Sequence, residues 1–390
     1  MNPVNFIEKH LAYQNYAQSI WALKDLPDFS MFKAHGGRYD IVTAYASACL
    51  QDEVSLGIDD FVMQFPLTKT KHRLPFVGGV LGWIGYDKTL SWHGLEVHSE
   101  AVFSTIPQFE LRYYPGAIVI DHHLKEVTLV HQDDEIWAQR VLLKWQESVA
   151  KIVRPSLDYI FEPLMSYDSY SQSIKDIQFY IRQGRVYQLN FTQSFMANFE
   201  DDPFAWYWHK QQAPIPYAAY FKSHDYDIMS LSPECFISID GQLAKTFPIK
   251  GTIGRGKTPE EDLQLQGWLQ SSEKNQAENI MIVDLLRNDF GKIAVAGSVT
   301  VPRFCELHQF PNVHHLISEV NALVPNDCHP FLFAKSCMPG GSITGAPKYE
   351  AMKLITELEL HQRGPYCGHF LYLSSHGYFE SNIMIRTAVA

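Results

Sequence analysis

Residues 235–256 read Cys-Phe-Ile-Ser-Ile-Asp-Gly-Gln-Leu-Ala-Lys-Thr-Phe-Pro-Ile-Lys-Gly-Thr-Ile-Gly-Arg-Gly. The dipeptide Asp240-Gly241 favours the tight turn of a β-hairpin, and runs rich in apolar and β-branched residues flank it. The stretch therefore predicts two antiparallel strands at residues 235–239 and 243–247. A turn that carries Lys250 among glycines follows them, and Pro248 stiffens its entry.

The glycines around Lys250 leave little bulk near the backbone, so a small anionic substrate fits there. An uncharged lysine amine is a nucleophile, whereas a charged one anchors an anion. A surface lysine in a solvated loop gives the same pattern and is the commoner case for any single lysine. The sequence around this lysine therefore leaves both interpretations open.

Outward from this stretch, strand and helix signals alternate. The sequence predicts strands at residues 39–46, 76–86, 109–120, 126–131, 186–195, 228–231 and 293–301, and a closing hairpin at 368–373 and 378–389. It predicts helices at residues 135–149, 273–287 and 346–360, and another that Ser171 caps and Gly184 ends. Residues 152–169 are irregular and predict a connection between two halves.

Composition restricts the class of protein. With 390 residues, 46% hydrophobic and 19% charged, the chain is typical of a soluble globular protein with a sizeable core. A net charge of -11 and no basic stripe argue against nucleic acid as a partner. The six cysteines form no C-x-x-C pair, so we expect reduced thiols rather than a zinc site. Charged residues near position 9 interrupt any signal sequence, which favours a cytoplasmic protein.

Two stretches could bind ions. Glu278 precedes Ile282 and Leu285 on the expected buried stripe of its helix, where a carboxylate needs a cation such as Mg²⁺ or a salt bridge to a basic side chain. Residues 340–348 lead a glycine-rich loop with Thr344 and Lys348 into a helix start, which is a potential anion site. Glycines needed only for the turn explain that loop equally well.

Four further side chains are candidates, each with an ordinary structural alternative. Arg386, expected on a strand, could clamp a carboxylate or face solvent. Glu234 could be a general acid or an exposed loop carboxylate, and His315 a proton carrier or a core histidine. Gln188 belongs to a polar strand face that either meets solvent or lines a site.

The order of several motifs resembles that of the chorismate-utilising enzymes. The matching segments are Tyr187-Gln188-Leu189-Asn190, Ser232-Pro233-Glu234, Pro248-Ile249-Lys250-Gly251-Thr252, Ala277-Glu278-Asn279, Arg287-Asn288-Asp289, the stretches 315–318 and 340–348, Arg363-Gly364 with Tyr366 and Gly368, and Ile385-Arg386-Thr387. The resemblance is specific from about residue 170 onward. It implies an α+β fold of stacked antiparallel β-sheets flanked by helices, with an N-terminal region at residues 1–150 and a chorismate-binding catalytic region at 165–390.

Two positions distinguish the branches of that family. Water-using members, which form isochorismate, carry a lysine in place of Gln188, so ammonia is the expected nucleophile here. Anthranilate-forming members typically carry alanine in place of Lys250. The resemblance therefore favours the branch that forms 4-amino-4-deoxychorismate, the precursor of 4-aminobenzoate and folate. The anthranilate-forming branch is the nearest alternative, and a non-catalytic chorismate-binding subunit is an alternative of another class.

The resemblance also implies roles for residues. Lys250 attacks C2 of chorismate while Glu234 protonates the departing C4 hydroxyl. Mg²⁺ on Glu278 holds the ring carboxylate, and Arg386 and Tyr366 hold the enolpyruvyl carboxylate. The remaining residues expected to bind substrate are Gln188, Thr252, His315, Thr344 and Lys348.

The resemblance further implies a partner subunit, a glutamine amidotransferase that supplies ammonia. Asn275 stands where many relatives have an acid, so we expect a weaker or differently arranged metal site. The family pattern continues past Arg386-Thr387 into a glycine-rich segment and a second metal-binding glutamate, whereas this sequence stops at Ala390. Two interpretations stay open, a longer polypeptide and a truncated form that lacks part of the site.

Overall fold

The hairpin at Asp240-Gly241 forms as predicted and lies within a ten-stranded antiparallel sheet. The computed structural model describes residues 6–51, 56–68, 70–97, 101–102, 105–147, 149, 152–156, 158–211, 215–310 and 312–390. In this sheet the hydrogen-bonded order of strands is Ile249–Gly254, Val313–Leu323, Leu243–Thr246, Cys235–Asp240, Phe379–Asn382, His369–Ser374, Gly79–Ile84, Phe109–Tyr114 and Ala48–Leu50, with Thr300–Gln309 also paired to Val313–Leu323.

A second antiparallel sheet packs against the first. Its eight strands follow the order Ile7–Leu11, Glu126–His131, Gly116–Asp121, Tyr39–Thr43, Ser30–Ala34, Ala219–Lys222, Asp227–Ser230 and Thr387–Val389. Each sheet contains strands from before residue 150 and from after residue 165. The two regions distinguished by sequence therefore share both layers.

Helices cover the outer faces of the two sheets. Within the described residues, the α-helices are Tyr16–Leu23, Ile58–Met63, Tyr86–Ser91, Glu135–Gln146, Tyr167–Arg182, Pro203–Lys210, Pro259–Ser271, Glu273–Gly291, Pro330–Cys337 and Lys348–Leu358, and short 3-10 helices lie at His35–Gly37 and Gly341–Ile343. None of the helices in the described part of the chain is long and apolar enough to cross a membrane.

Among the described residues, the three largest apolar clusters hold the layers together. Between the sheets, aromatic rings such as Phe32 and Phe370 stack with centroids 5.6 Å apart. The outer face of the eight-stranded sheet packs on helices that supply Trp21, Trp137 and Phe204. The outer face of the ten-stranded sheet packs on the helices at 273–291, 330–337 and 348–358. The architecture is thus helix, sheet, sheet, helix, as the α+β prediction of stacked antiparallel sheets required.

Some predicted elements differ from those observed. Residues 186–195 form no continuous strand but two short pairings, Gln188–Leu189 with Gly345–Ala346 and Phe195–Met196 with Glu162–Pro163. Alternation of apolar and polar residues was present there, but a full-length partner strand was not. The strand predicted at 293–301 begins only at Thr300 and runs to Gln309.

Helix ends were less predictable than helix cores. The helix predicted to follow a Ser171 cap starts at Tyr167, where the side chain of Ser166 caps it, and Gly184 follows its end with a positive φ of 73°. The helix predicted at 135–149 ends at Gln146, and residue 148 lies outside the described residues. Pro347 precedes its helix instead of lying in the first turn.

Candidate active site

Three side chains from distant parts of the chain converge beside the ten-stranded sheet. Lys250 lies on the strand Ile249–Gly254, Glu234 immediately precedes the strand Cys235–Asp240, and Ser342 lies in the short 3-10 helix Gly341–Ile343. Lys250 and Ser342 are both close enough to the Glu234 carboxyl group to influence its pKa. The structure therefore brings the two predicted catalytic residues together.

The surroundings of Glu234 suit an acid. Its side chain is buried, and its backbone N–H donates to Ser232 Oγ at 3.2 Å. Burial raises the pKa of Glu234, while the positive charge of Lys250 and the Ser342 hydroxyl oppose that rise. A carboxyl group with a raised pKa keeps its proton at higher pH and can donate it to a leaving group.

Lys250 is half-buried, not a lysine in bulk solvent. Its strand bends where Lys250 and Gly251 together face a single residue of the neighbouring strand, and Gly251 has a positive φ of 84°. No hydrogen bond or ion pair within 4 Å occupies the Lys250 ammonium group among the described residues. The charge of Lys250 acts on the Glu234 carboxyl group, so the amine lies near this acid and has no hydrogen-bond partner among the described residues. A nucleophile requires such a free amine.

His315 lies one strand away and joins this group. Thr252 is its cross-strand neighbour, and Thr252 Oγ1 lies 2.7 Å from His315 Nδ1. Burial lowers the pKa of His315, the positive charge of Arg386 lowers it further, and a hydrogen bond with the Gly251 backbone opposes both. The structure thus brings Thr252, His315 and Arg386 together beside the strand that carries Lys250.

Arg386 does not lie on a strand, contrary to the prediction. It falls between Phe379–Asn382 and Thr387–Val389, with a left-handed φ of 52°, and its carbonyl accepts a hydrogen bond from Leu231 N at 3.0 Å. The chain passes from one sheet to the other at this point, which breaks the alternation that a strand would need. The side chain is exposed and therefore free to meet a ligand.

Tyr366 follows the turn after Arg363-Gly364 and is half-buried. Burial raises the pKa of its phenol, so the group stays protonated and can donate a hydrogen bond. Gln188 is half-buried in the short pairing with Ala346, and its carbonyl lies so close to Gly345 that a Cβ there would come within 2.2 Å. This close approach explains one glycine of the 340–348 loop.

Two predicted substrate-binding residues have structural partners. The Thr344 hydroxyl is buried and donates to the Gly340 carbonyl at 3.0 Å. The Lys348 ammonium donates to the carbonyls of Cys337 and Pro339, both at 2.9 Å, and lies 2.5 Å from Asp289 Oδ2. Both side chains therefore have partners within the protein, and their contact with substrate stays a prediction.

The predicted burial of Glu278 is wrong. Its side chain is 37% exposed and lies 3.9 Å from Lys274, one turn away on the same helix. The neighbouring Asn279 is instead the fully buried residue at this point of the helix. Within the described ranges, no group of three or more His, Cys, Asp or Glu side chains could hold a metal. One carboxylate without a tight ion pair fits a Mg²⁺ ion bound mainly through water and substrate oxygens.

Sequence reasoning missed three contributors to the site. Ser342, two residues from Thr344, has a buried hydroxyl without a well-aligned hydrogen-bond partner, and it lies beside Glu234. Asn279 donates from Nδ2 to the Lys250 carbonyl at 3.1 Å. Only their positions inside the Gly-rich loop and beside Glu278 hinted at them, because sequence does not reveal which hydroxyl or amide faces inward.

The third contributor is a buried ion pair that ties loops of the site together. Arg363 pairs with Glu359 at 2.6 Å and donates to the carbonyls of Ile343 at 2.8 Å and Asn190 at 2.7 Å. These carbonyls belong to the segments next to Ser342 and Gln188, and Tyr366 follows Arg363 by three residues. Arg363 therefore fixes the mutual position of three segments that border the site.

Comparisons with known proteins agree with this arrangement. The family of chorismate binding enzymes matches residues 29–390. Aminodeoxychorismate synthase component 1 of Klebsiella aerogenes is 38% identical over 321 residues, which are 82% of this chain and 70% of that protein. The Escherichia coli protein of the same name is 38% identical over 322 residues, 81% of this chain and 70% of that protein.

A solved structure shares the whole fold. Anthranilate synthase component I from Streptococcus pneumoniae superimposes with a TM-score of 0.79 at 26% sequence identity, covering 100% of this chain and 85% of that one. The family match spans most of the sequence and includes the segments that carry Lys250, Glu234 and His315. The chain is therefore an enzyme that belongs to the chorismate-binding family.

Proposed function

We propose that this enzyme converts chorismate and ammonia into 4-amino-4-deoxychorismate and water. The observation that carries the proposal is the pairing of a half-buried Lys250, free of hydrogen bonds, with a buried Glu234. The names of the relatives at 38% identity support the same product, whereas the anthranilate synthase structure is more distant at 26% identity.

In the first step, the uncharged Lys250 amine attacks C2 of chorismate. The ring double bonds shift and the bond between C4 and its hydroxyl oxygen breaks. Glu234 donates its proton to that oxygen, which leaves as water. The raised pKa of Glu234 suits this role, because a neutral carboxylic acid is needed at the moment of departure.

In the second step, ammonia attacks C4 from outside. The double bonds shift back, the bond between C2 and the lysine nitrogen breaks, and Lys250 is released as an amine. Splitting one difficult displacement into two steps is the general advantage of a covalent intermediate. The ammonium group formed at C4 returns one proton to Glu234, which restores the acid. The reaction balances, since one hydroxyl leaves as water and one amino group enters.

The remaining residues bind and orient the substrate in this proposal. Arg386 and Tyr366 hold the enolpyruvyl carboxylate through a guanidinium and a protonated phenol. His315, oriented by Thr252, and Ser342 line the ring pocket, and Gln188 borders it. A Mg²⁺ ion on Glu278 would neutralise the ring carboxylate of chorismate.

We also propose a glutamine amidotransferase as the partner subunit that supplies ammonia. The relatives are named as component 1, which implies a second component. A cytoplasmic location is part of the same proposal, and the six cysteines, which form no disulfide, are consistent with a reducing compartment.

Identification of the product tests the proposed function. The purified chain is incubated with chorismate, Mg²⁺ and ammonium at high pH, where free ammonia replaces the partner. Addition of 4-amino-4-deoxychorismate lyase should then yield 4-aminobenzoate. Formation of 2-aminobenzoate without the lyase would assign the anthranilate-forming reaction instead, and absence of any turnover would favour a non-catalytic chorismate-binding subunit.

A further inference from the structure

The strand that carries Lys250 is irregular at the lysine itself. Ile249 pairs with Ile317 and Thr252 pairs with His315, so Lys250 and Gly251 together oppose Leu316 alone. Such a β-bulge redirects side chains and removes backbone groups from the regular ladder of hydrogen bonds. The Lys250 carbonyl therefore needs a partner from outside the sheet.

Asn279 supplies that partner from the helix Glu273–Gly291. Its side chain is 0% exposed, and its Nδ2 donates to the Lys250 carbonyl at 3.1 Å. Its Oδ1 accepts from Ser318 Oγ at 2.8 Å, and Ser318 Oγ accepts from the backbone N–H of Cys305 at 3.0 Å. The three hydrogen bonds form a series in which each donor lies on the Cys305 side and each acceptor on the Lys250 side. The last acceptor is the Lys250 carbonyl.

This series of hydrogen bonds also fixes the orientation of the Asn279 amide, that is, which partner meets its oxygen and which meets its nitrogen. Since Ser318 Oγ already accepts a hydrogen bond from Cys305, its hydroxyl proton is free to donate to Asn279 Oδ1. The opposite amide orientation would place two oxygens, Asn279 Oδ1 and the Lys250 carbonyl, against each other. The Asn279 donor is thus fixed toward the bulge by two neighbouring strands.

We propose that Asn279 is a positioning residue that holds the Lys250 bulge so that the amine faces Glu234 and the substrate. The inference rests on the proposed function, in which Lys250 is the nucleophile. Asn279 itself contacts only the lysine backbone and Ser318 in this network. Its effect should therefore appear in the rate of attack and not in substrate affinity.

The size of the effect follows from geometry. A misplacement of about 1 Å at a reacting group costs on the order of 10²-fold in rate. Removal of the Asn279 amide leaves the bulge carbonyl without its partner and lets the strand relax toward a regular ladder. We expect Asn279→Ala to slow formation of the Lys250 adduct roughly 10- to 100-fold, with the chorismate KM within about threefold of wild type.

The experiment measures adduct formation by intact-protein mass spectrometry after mixing with chorismate and Mg²⁺, together with ammonium-dependent turnover and the thermal midpoint. Ser318→Ala keeps Asn279 but removes the donor that orients it, so it should slow the same step by a smaller factor. It also tests the inference if Asn279→Ala fails to fold. The matched control is Asn288→Ala, an exposed asparagine on the same helix, which should leave adduct formation unchanged.

Two results overturn the inference while leaving the proposed function intact. One is a wild-type rate of adduct formation in a folded Asn279→Ala or Ser318→Ala variant. The other is a rise in KM at an unchanged rate, which would make Asn279 a residue that shapes the substrate pocket. Failure of the proposed function would give another result, since the wild-type protein itself would then form no adduct on Lys250.

Discussion

Lys250 and Lys348 were both predicted to meet substrate, and their surroundings differ completely. Lys250 lies on a bulged strand, half-buried, with no bonding partner for its ammonium group among the described residues and with Glu234 nearby. Lys348 begins a helix, is buried, and has two carbonyls and the Asp289 carboxylate around its nitrogen. One lysine is available for chemistry and the other is used to hold the protein together.

The difference shows how a reactive lysine can be distinguished from a structural one. Both lysines lie close to glycines in the sequence, and both lie in segments that resemble family motifs. A lysine whose three donors already have protein acceptors gains little from a ligand, since binding would exchange one partner for another. A lysine left unbonded beside an acid retains that capacity for the substrate.

Lys250→Ala tests the reactive side of this comparison and should have the largest effect. Loss of the nucleophile is expected to abolish the covalent adduct and to lower turnover by about 10³-fold or more. Glutamine-dependent and ammonium-dependent synthesis should fall together, because both pass through the same adduct. Steady-state assays with either nitrogen source and adduct detection by mass spectrometry measure this.

Lys257→Ala is the control for that experiment, since Lys257 is an exposed lysine beyond the same strand. It should retain wild-type turnover. If Lys250→Ala keeps normal turnover, Lys250 is not the nucleophile and serves only to bind the substrate. The free amine of Lys250 would then not distinguish it from Lys348 in catalysis.

Glu234→Gln sharpens the comparison by removing the acid that faces Lys250. We expect turnover to fall by roughly 10²- to 10⁴-fold, the usual contribution of a general acid. The effect should depend on pH. Since burial raises the Glu234 pKa, the wild-type acid is protonated below that pKa and loses its proton as pH rises through it. The ratio of wild-type to Glu234→Gln rates should therefore decrease with rising pH.

Use of the ratio cancels the pH dependence that both enzymes share, such as that of the free ammonia concentration. Glu306→Gln is the control, because Glu306 is half-exposed on the strand Thr300–Gln309. A ratio that stays constant from about pH 6 to 9 would show that Glu234 does not act through its proton.

The sequence was sufficient for many of the strands and helices, because those depend on local patterns. The Asp240-Gly241 turn, the strand at 126–131 and the helix that starts at Glu273 follow from alternation, turn residues and helical spacing. Lys250 and Glu234 were predicted from short, continuous motifs, and the structure brings the two residues near each other. The stacked arrangement followed from the family resemblance and was confirmed.

The remaining features of the site depend on contacts between distant residues. Lys348 forms an ion pair with Asp289, which lies 59 positions earlier in the sequence. The periodicity of the sequence does not predict such a pairing. Ser342 and Thr344 are hydroxyl residues in one loop, and only the path of the 3-10 helix decides that Ser342 faces Glu234. The bulge at Lys250, and so the role of Asn279, exists only once the neighbouring strand is in register.

Lys348→Met tests the structural side of the comparison and should have the smallest effect on catalysis. Methionine keeps the apolar stem but removes one of the two ion-pair partners that Asp289 has among the described residues. The Asp289 side chain, which is 1% exposed, would then keep Lys292 at 3.0 Å. Breaking a buried ion pair costs about 3–5 kcal/mol, so the thermal midpoint should fall by several degrees. Turnover of the folded fraction and the chorismate KM should stay within about threefold of wild type.

A double variant completes this test. With Lys348→Met and Asp289→Asn combined, no uncompensated carboxylate remains in the interior, and the loss of stability should be smaller than for Lys348→Met alone. A substrate role for Lys348 predicts the reverse pattern, in which the KM rises at least about tenfold while the thermal midpoint barely changes. That result would place both lysines in contact with chorismate. The free Lys250 ammonium would then no longer distinguish the catalytic lysine from the structural one.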